Sequence, residues 1–302
     1  MATIKDFYQG ARPKTLSASV SPVFIGGALA FAAYKDQKVD IPTVFYIALF
    51  AALVVALALQ VGVNYANDYS DGKKGTDDVR VGPMRLVGSG KATPKSVFIA
   101  MCISFAIAGL AGLFVAYKSS WWLVAVGAAC IALAYLYTGT KFAYGYFGFG
   151  ELVVFICFGL VATVGTYYAL THEITLYSVI ASFISGMFSV AILLANNIRD
   201  IETDRESNKK TLPARIGHKA AITLFKIAIL LIFLSIVGIG VKYHWAFAAL
   251  IISPFIGLLS IKLSEAKTPP EYIGVLVKTS KLNLITSVLV SAFVVISAIA
   301  GN

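Results

Sequence analysis

Eight of the 15 carboxylates in this 302-residue chain sit in two short stretches. The first reads Asn64-Tyr-Ala-Asn67-Asp68-Tyr-Ser-Asp71-Gly-Lys-Lys-Gly-Thr-Asp77-Asp78, and the second reads Asn196-Asn197-Ile-Arg-Asp200-Ile-Glu202-Thr-Asp204-Arg-Glu206. On a helix, positions three, four and seven apart share a face. Asn64, Asp68 and Asp71 therefore line up, as do Asn196 or Asn197 with Asp200 and Asp204. Carboxylate and amide oxygens on one stripe are the hard ligands that Mg²⁺ takes when it also holds phosphates. Cations follow each stretch: Lys73, Lys74 and Arg85 after the first, Arg205, Lys209, Lys210 and Arg215 after the second. A bare cation site has no use for so many positive neighbours. A metal bridging to a diphosphate does, because phosphate oxygens accept from Arg and Lys while the metal screens them from the carboxylates. A run of solvated loop charge does not account for the Asn-x-x-x-Asp core shared by Asn64/Asp68 and Asn196/Asp200, nor for the helical register of the acids.

The elements that must carry these residues are membrane spans. The chain is 58% hydrophobic and 13% charged, with a mean hydropathy of +0.81, against about 25% charged residues in an ordinary soluble domain. Apolar runs of spanning length fall near residues 15–34, 42–66, 96–117, 121–139, 147–170, 175–198, 220–241, 244–262 and 282–300. The expected architecture is an all-α integral membrane protein, a nine-transmembrane-helix bundle forming one domain over 1–302, with cap loops on the cytoplasmic side. With the N-terminus inside, twenty Lys and Arg fall in inside segments and four outside, the bias that sets membrane orientation. The two longest connections, about 67–95 and 199–219, both fall inside, and the acids lie there. The net charge of +10 then marks topology, with no nucleic-acid partner. The N-terminal segment lacks the pattern of a cleaved signal and is expected to be retained. Cys102, Cys130 and Cys157 lie in apolar runs without paired spacing and read as packing. Gly26, Gly27, Gly109, Gly112, Gly159, Gly165 and Pro22 read as positions of close helix packing.

The residues resemble the UbiA superfamily of intramembrane prenyltransferases, whose members carry nine spans and two Asp-rich motifs at the cytoplasmic ends of the second and sixth. The likeness is strongest to its naphthoate-prenylating branch. It rests on Ala11-Arg-Pro-Lys-Thr-Leu16, Gln60-Val-Gly-Val-Asn-Tyr-Ala-Asn-Asp-Tyr-Ser-Asp71-Gly, Gly82-Pro-Met-Arg-Leu-Val87, Asn196 through Arg205, and Thr211-Leu-Pro-Ala-Arg-Ile-Gly217. Many superfamily members place a third Asp four residues after the second. Gly75 stands there in this chain, with Asp77 and Asp78 next.

The resemblance implies Mg²⁺-dependent transfer of a polyprenyl group from polyprenyl diphosphate to 1,4-dihydroxy-2-naphthoate, with loss of carbon dioxide, a transferase step of menaquinone biosynthesis in the cell membrane. It implies Asn64, Asp68, Asp71, Asn197, Asp200 and Asp204 as metal ligands, the four aspartates carrying the catalysis. Asn67, Lys73, Arg85, Lys141, Arg205 and Lys210 are implied for the diphosphate, and Arg12, Gln60 and Tyr137 for the acceptor, with membrane lipid around the tail. Tyr65, Tyr69, Tyr137 and Phe142 are aromatic candidates for steadying an allylic cation, against packing or interface roles. Glu151, an acid early in the fifth span, is a functional candidate by its depth, as general base or in a salt bridge. No catalytic role falls to His172, His218 or His244. Two readings stay open beside this one: a related enzyme with another aromatic acceptor such as 4-hydroxybenzoate, and a cation-coupled transporter.

Overall fold

The computed structural model describes residues 2–74, 84–137 and 143–301. Among these, every regular element is helical. Eight helices are long and apolar enough to cross a membrane, and a shorter apolar one lies between the third and fourth. In chain order the elements are α1 (Ile4–Gly10), α2 (Ser17–Asp36), α3 (Thr43–Lys74), α4 (Pro94–Lys118), α5 (Trp122–Leu136) and α6 (Gly150–Thr171). The short α8 (Ile201–Glu206) and α9 (Leu212–Ile216) follow α7 (Leu176–Arg199). The chain ends with α10 (His218–Lys242), α11 (His244–Glu265) and α12 (Pro269–Ala300). The multi-pass membrane architecture expected from the apolar runs is the one observed.

Several boundaries differ from the apolar runs, each for a local reason. The second span does not stop at 66. Asn64, Asn67, Asp68 and Asp71 continue the same helix to Lys74, because a helix end that finds polar partners can outrun its hydrophobic stretch. The sixth span ends at Arg199, and Asp200 (φ −96°, ψ 8°) breaks it before α8 begins. The second motif is thus divided between two helices, where a continuous one was expected. The last helix begins at Pro269 and not at 282, started by a capping box in which Thr268 and Glu271 satisfy each other's backbone amides. The fourth span shrinks to α5, whose 15 residues cover about 22 Å.

Centrality is uneven. The spanning segments of α2 and α7 are each 67% buried, whereas that of α3 is 17% buried. α2 packs on α3, α6, α7 and α12, and α7 packs on α6, α10 and α12. Glycine permits the closest approaches, as expected for Gly26 and Gly159. A Cβ at Gly26 would lie 2.5 Å from the Thr163 carbonyl, and Gly159 of α6 meets Gly186 of α7 with a Cβ-to-Cα distance of 3.0 Å. That second contact falls in a π-helical stretch, Phe155–Val164, within α6.

Gly109, Gly112 and Gly165 depart from their expected packing role. A Cβ at Gly109 or Gly165 would meet nothing within 4 Å, and one at Gly112 only Val55 at 3.8 Å. All three line a cavity. Gly26→Val is expected to overpack the α2–α6 contact and cost about 1–3 kcal/mol, read as a lowered thermal midpoint in detergent. Gly257→Ala, with nothing within 4 Å, serves as the control that leaves the midpoint in place.

Candidate functional site

One cavity of about 960 Å³ runs between α2, α3, α4, α5, α6 and α7. On α3 it reaches from Ala52 to Asp71, about 29 Å of helix, the thickness of a bilayer's hydrocarbon core. Most of its wall is apolar, with Val55, Leu59, Leu113, Ile131 and Val161 among the lining residues. One end is polar. There α3 contributes Gln60, Asn64, Asn67 and Asp71, α7 contributes Asn196 and Asn197, and the connections contribute Arg12, Arg85 and Lys209.

The face of α3 toward the cavity is therefore 60, 64, 67 and 71, a helical stripe one position away from Asp68. Asp68 is 1% exposed. Its Oδ2 accepts from the Leu86 amide at 2.6 Å and its Oδ1 from the Val87 amide at 3.0 Å. Leu86 is fully buried, and a Cβ at Gly10 would lie 2.6 Å from it, while Val87 packs equally closely over Gly72. The carboxylate expected to bind metal is thus a clamp on the returning chain, a charge-assisted arrangement that delivers the preceding residue, Arg85, to Asp71. Arg85 Nη2 stands 3.4 Å from Asp71 Oδ2. Asn64 has a comparable duty, donating from Nδ2 to the Ala11 carbonyl at 2.9 Å. The neighbouring Tyr65 hydroxyl donates to the Phe7 carbonyl at 2.9 Å. Together these bonds fix the N-terminal segment that carries Arg12, whose backbone is left-handed (φ 56°).

In the second motif Arg199, its side chain 2% exposed, grips Asp200 with both Nε (2.6 Å) and Nη2 (2.7 Å). Nη2 also donates to Asn196 Oδ1 at 3.0 Å. Asp204 accepts from the Thr211 hydroxyl at 2.9 Å and pairs with Lys209 at 3.8 Å. Asn197 donates from Nδ2 to Glu151 Oε1 at 3.0 Å.

The two motifs meet through Tyr146, in the 3₁₀ turn Tyr144–Phe147 ahead of α6. Its hydroxyl donates to Asp71 Oδ1 at 3.2 Å, and its carbonyl accepts from the Lys210 amide at 3.1 Å. Its ring lies 5.2 Å under the Lys209 ammonium, close enough for a cation–π contact. A continuous path therefore runs from Asp71 through Tyr146 and Lys209 to Asp204.

Of the residues singled out from sequence, Arg12, Gln60, Asn64, Asn67, Asp71, Arg85, Tyr137 and Asn197 line the cavity. Asp68, Asp200 and Asp204 are buried close by, held in the bonds just described. Three cations expected at the diphosphate are displaced from the lining. Lys73 is exposed over the Tyr69 ring, Arg205 is exposed and pairs with Glu202, and Lys210 is exposed while Lys209 faces the cavity. Lys209 is held there by its amide bond to the Asp204 carbonyl at 2.7 Å and its pairing with the Asp204 carboxylate. Glu151 forms no salt bridge among the described residues and does not line the cavity, unlike either role expected for it. Lys141, Phe142, Asp77 and Asp78 lie outside the described residues. Tyr146 and Arg199 escaped the sequence reading, and Lys209 entered it only as one of the cations that follow the second stretch. The Arg199-Asp200 neighbourhood inside a span was the one available signal for them, since a buried Arg needs a carboxylate.

The donors suit a hard cation shared with phosphate. Among the described residues no three His, Cys, Asp or Glu side chains gather into one coordination shell, so a cation held there would need amide oxygens beside one or two carboxylates, with phosphate or water as further ligands. That is the habit of Mg²⁺. Asp71 with Asn64 and Asn67, facing Asn196 and Asn197 with Arg12, Arg85 and Lys209 around them, supplies such a set.

Comparison with known proteins gives four consistent findings. The profile of the UbiA prenyltransferase family matches residues 19–270. A 1,4-dihydroxy-2-naphthoate octaprenyltransferase of Mycobacterium tuberculosis is 47% identical over 226 residues, 75% of either chain. The structure of a UbiA homolog from Aeropyrum pernix superposes with a TM-score of 0.66 at 16% identity, over 93% of this chain and 97% of that one. A UbiA homolog from Archaeoglobus fulgidus, bound to DMAPP and Mg²⁺, superposes at 0.55 with 14% identity over 94% and 99%.

Two substitutions test the local architecture. Tyr146→Phe keeps the ring beneath Lys209 and deletes the bond to Asp71. A hydrogen bond to a charged group is worth about 1.5–3 kcal/mol, so the thermal midpoint is expected to fall, and an unaltered midpoint shows the bridge between motifs to be inert. Asp68→Ala strands two backbone amides, so hydrogen exchange at Leu86 and Val87 is expected to quicken while helix content measured by circular dichroism stays put.

Proposed function

The chain belongs to the UbiA prenyltransferase family, and from that membership we propose that it transfers a polyprenyl group from polyprenyl diphosphate to 1,4-dihydroxy-2-naphthoate, with loss of carbon dioxide, in menaquinone biosynthesis. The observation that carries this reading is the division of a single cavity into a polar end, furnished by both Asp-rich motifs, and a long apolar remainder. A prenyl diphosphate has the same division. In cells the polar end faces the cytoplasm and the protein resides in the cell membrane, a placement supported by the twenty-to-four distribution of basic residues.

Mg²⁺ bound by Asp71 and the amides Asn64, Asn67 and Asn197, with Asp68, Asp200 and Asp204 as nearby acids, supplies charge neutralisation for the departing diphosphate. The chain's own residues do the rest. Arg85 and Lys209 are held by Asp71 and Asp204, so their positive charge is already in place when negative charge develops on the leaving group. Arg12 adds a third cation at the same end. The apolar wall excludes water from the allylic cation left behind, and the Tyr137 and Tyr144 rings, 5.5 Å apart edge to face, line that part of the cavity with faces able to stabilise it. Gln60 suits the acceptor. Its Oε1 is buried with no hydrogen-bond partner among the described residues, an oxygen that a naphthol hydroxyl would satisfy. Arg12, on the same cavity, suits the acceptor's carboxylate.

The apolar wall also bears on tail length. Gly109 and Gly112 on α4 and Gly165 on α6 leave open space where a side chain would stand, and that space admits tail.

Purified protein supplied with farnesyl diphosphate, Mg²⁺ and either 1,4-dihydroxy-2-naphthoate or 4-hydroxybenzoate is expected to yield a prenylated, decarboxylated naphthalenediol and nothing from hydroxybenzoate, the products being identified by mass. The reverse outcome would reassign the acceptor. Chelator should stop the reaction and Mg²⁺ restore it. Gly112→Leu should retain turnover of short prenyl diphosphates while losing long ones, and unaltered preference across chain lengths would show that the tail lies elsewhere.

A further inference from the structure

Glu151 is 6% exposed in the first turn of α6 and stands apart from the cavity, on the far side of a residue that lines it. Its Oε1 accepts from Asn197 Nδ2 at 3.0 Å, and its Oε2 is buried with no hydrogen-bond partner among the described residues. An amide's oxygen and nitrogen occupy opposite arms of one planar group. Fixing Nδ2 on Glu151 therefore turns Asn197 Oδ1 away from the carboxylate, and Asn197 itself lines the cavity. Asn64 is arranged alike across the site, its Nδ2 on the Ala11 carbonyl. The partners differ in charge, since one is a neutral carbonyl and the other a carboxylate.

That difference needs a physical account, because a carboxylate buried at membrane depth is costly without compensation. One amide hydrogen bond is a small return for an ion. No Lys or Arg pairs with Glu151 among the described residues. Asp200 and Asp204, the acids nearest in the motif, are engaged by Arg199 and by Thr211 and Lys209. A divalent cation on Asn197 Oδ1 would supply the missing positive charge, and the negative charge behind the amide would in turn make its oxygen a stronger ligand.

We infer that Glu151 is a positioning residue, holding Asn197 as an oxygen ligand for the divalent cation and tuning that half of the site through its charge. The inference rests on the metal–diphosphate reading above.

The test is Mn²⁺ binding to the purified full chain in detergent, followed by electron paramagnetic resonance with and without inorganic diphosphate, beside the thermal midpoint. Glu151→Gln keeps size and one acceptor oxygen but removes the charge, and should weaken Mn²⁺ about 10-fold while leaving the KM for the acceptor unchanged. Asn197→Asp sets two carboxylates against each other and should lose more. The double variant E151Q/N197D restores a carboxylate–amide pair with the roles exchanged and should recover most of that loss. Wild-type Mn²⁺ affinity in Glu151→Gln overturns the inference, as does a double variant that binds no better than Asn197→Asp. A thermal midpoint lowered equally with and without Mn²⁺, at unchanged affinity, overturns it in favour of plain packing. Wild-type protein that binds no Mn²⁺ overturns the metal reading and this inference together.

Discussion

A carboxylate withdrawn from water costs several kcal/mol unless it is paired and fully hydrogen-bonded, and this bundle buries five of them at one end: Asp68, Asp71, Glu151, Asp200 and Asp204. Much of the local architecture follows from meeting that requirement. Leu86 and Val87 lie against α3 because Asp68 takes their backbone amides. The turn ahead of α6 lies beneath Asp71 because Tyr146 supplies a donor. The segment after α8 curls inward because Asp204 takes the Thr211 hydroxyl. Each satisfied acid draws a connection over the cavity's end and brings a further polar group with it.

The consequence is a division between acids that hold connecting segments and groups that line the cavity. Asp68 and Asp200 have their oxygens engaged in strong local contacts, while Asn64, Asn67, Asp71 and Asn197 line the cavity. The apolar part of the cavity follows a simpler rule. It stays open because glycines on α4 and α6 leave the space between helices unfilled.

Much of this was legible in the chain, and where reading failed the reason is geometric. Asn64 and Asp71 of the expected helical stripe line the cavity while Asp68 is turned onto the Leu86 and Val87 amides, because a step of four and a step of three both suit a helix and only packing decides which edge faces inward. The resemblance implied Lys210 for the diphosphate, whereas Lys209, its neighbour in the same irregular stretch, is the one that lines the cavity. Tyr146 lay in a stretch of aromatic and glycine residues with no periodicity to set it apart. Gly109 and Gly159 read alike as packing positions, yet one borders open space and the other touches Gly186.

Composition and the spacing of apolar runs determined the membrane class and the approximate number of spans, since each reports a transfer free energy that a residue has wherever its neighbours lie. The amide and carboxylate types in the two motifs likewise determined the kind of ligand they suit. Which of those side chains reach the cavity, which are taken up holding loops, and which glycines leave room for a tail were decided only when α2 and α7 took the centre and the other helices assembled around them. Those outcomes depend on distances between segments that lie apart in the chain, 75 residues for the pairing of Asp71 with Tyr146 and 46 for that of Glu151 with Asn197, and such distances are fixed by packing and by the pairing of buried charge, which no local pattern encodes.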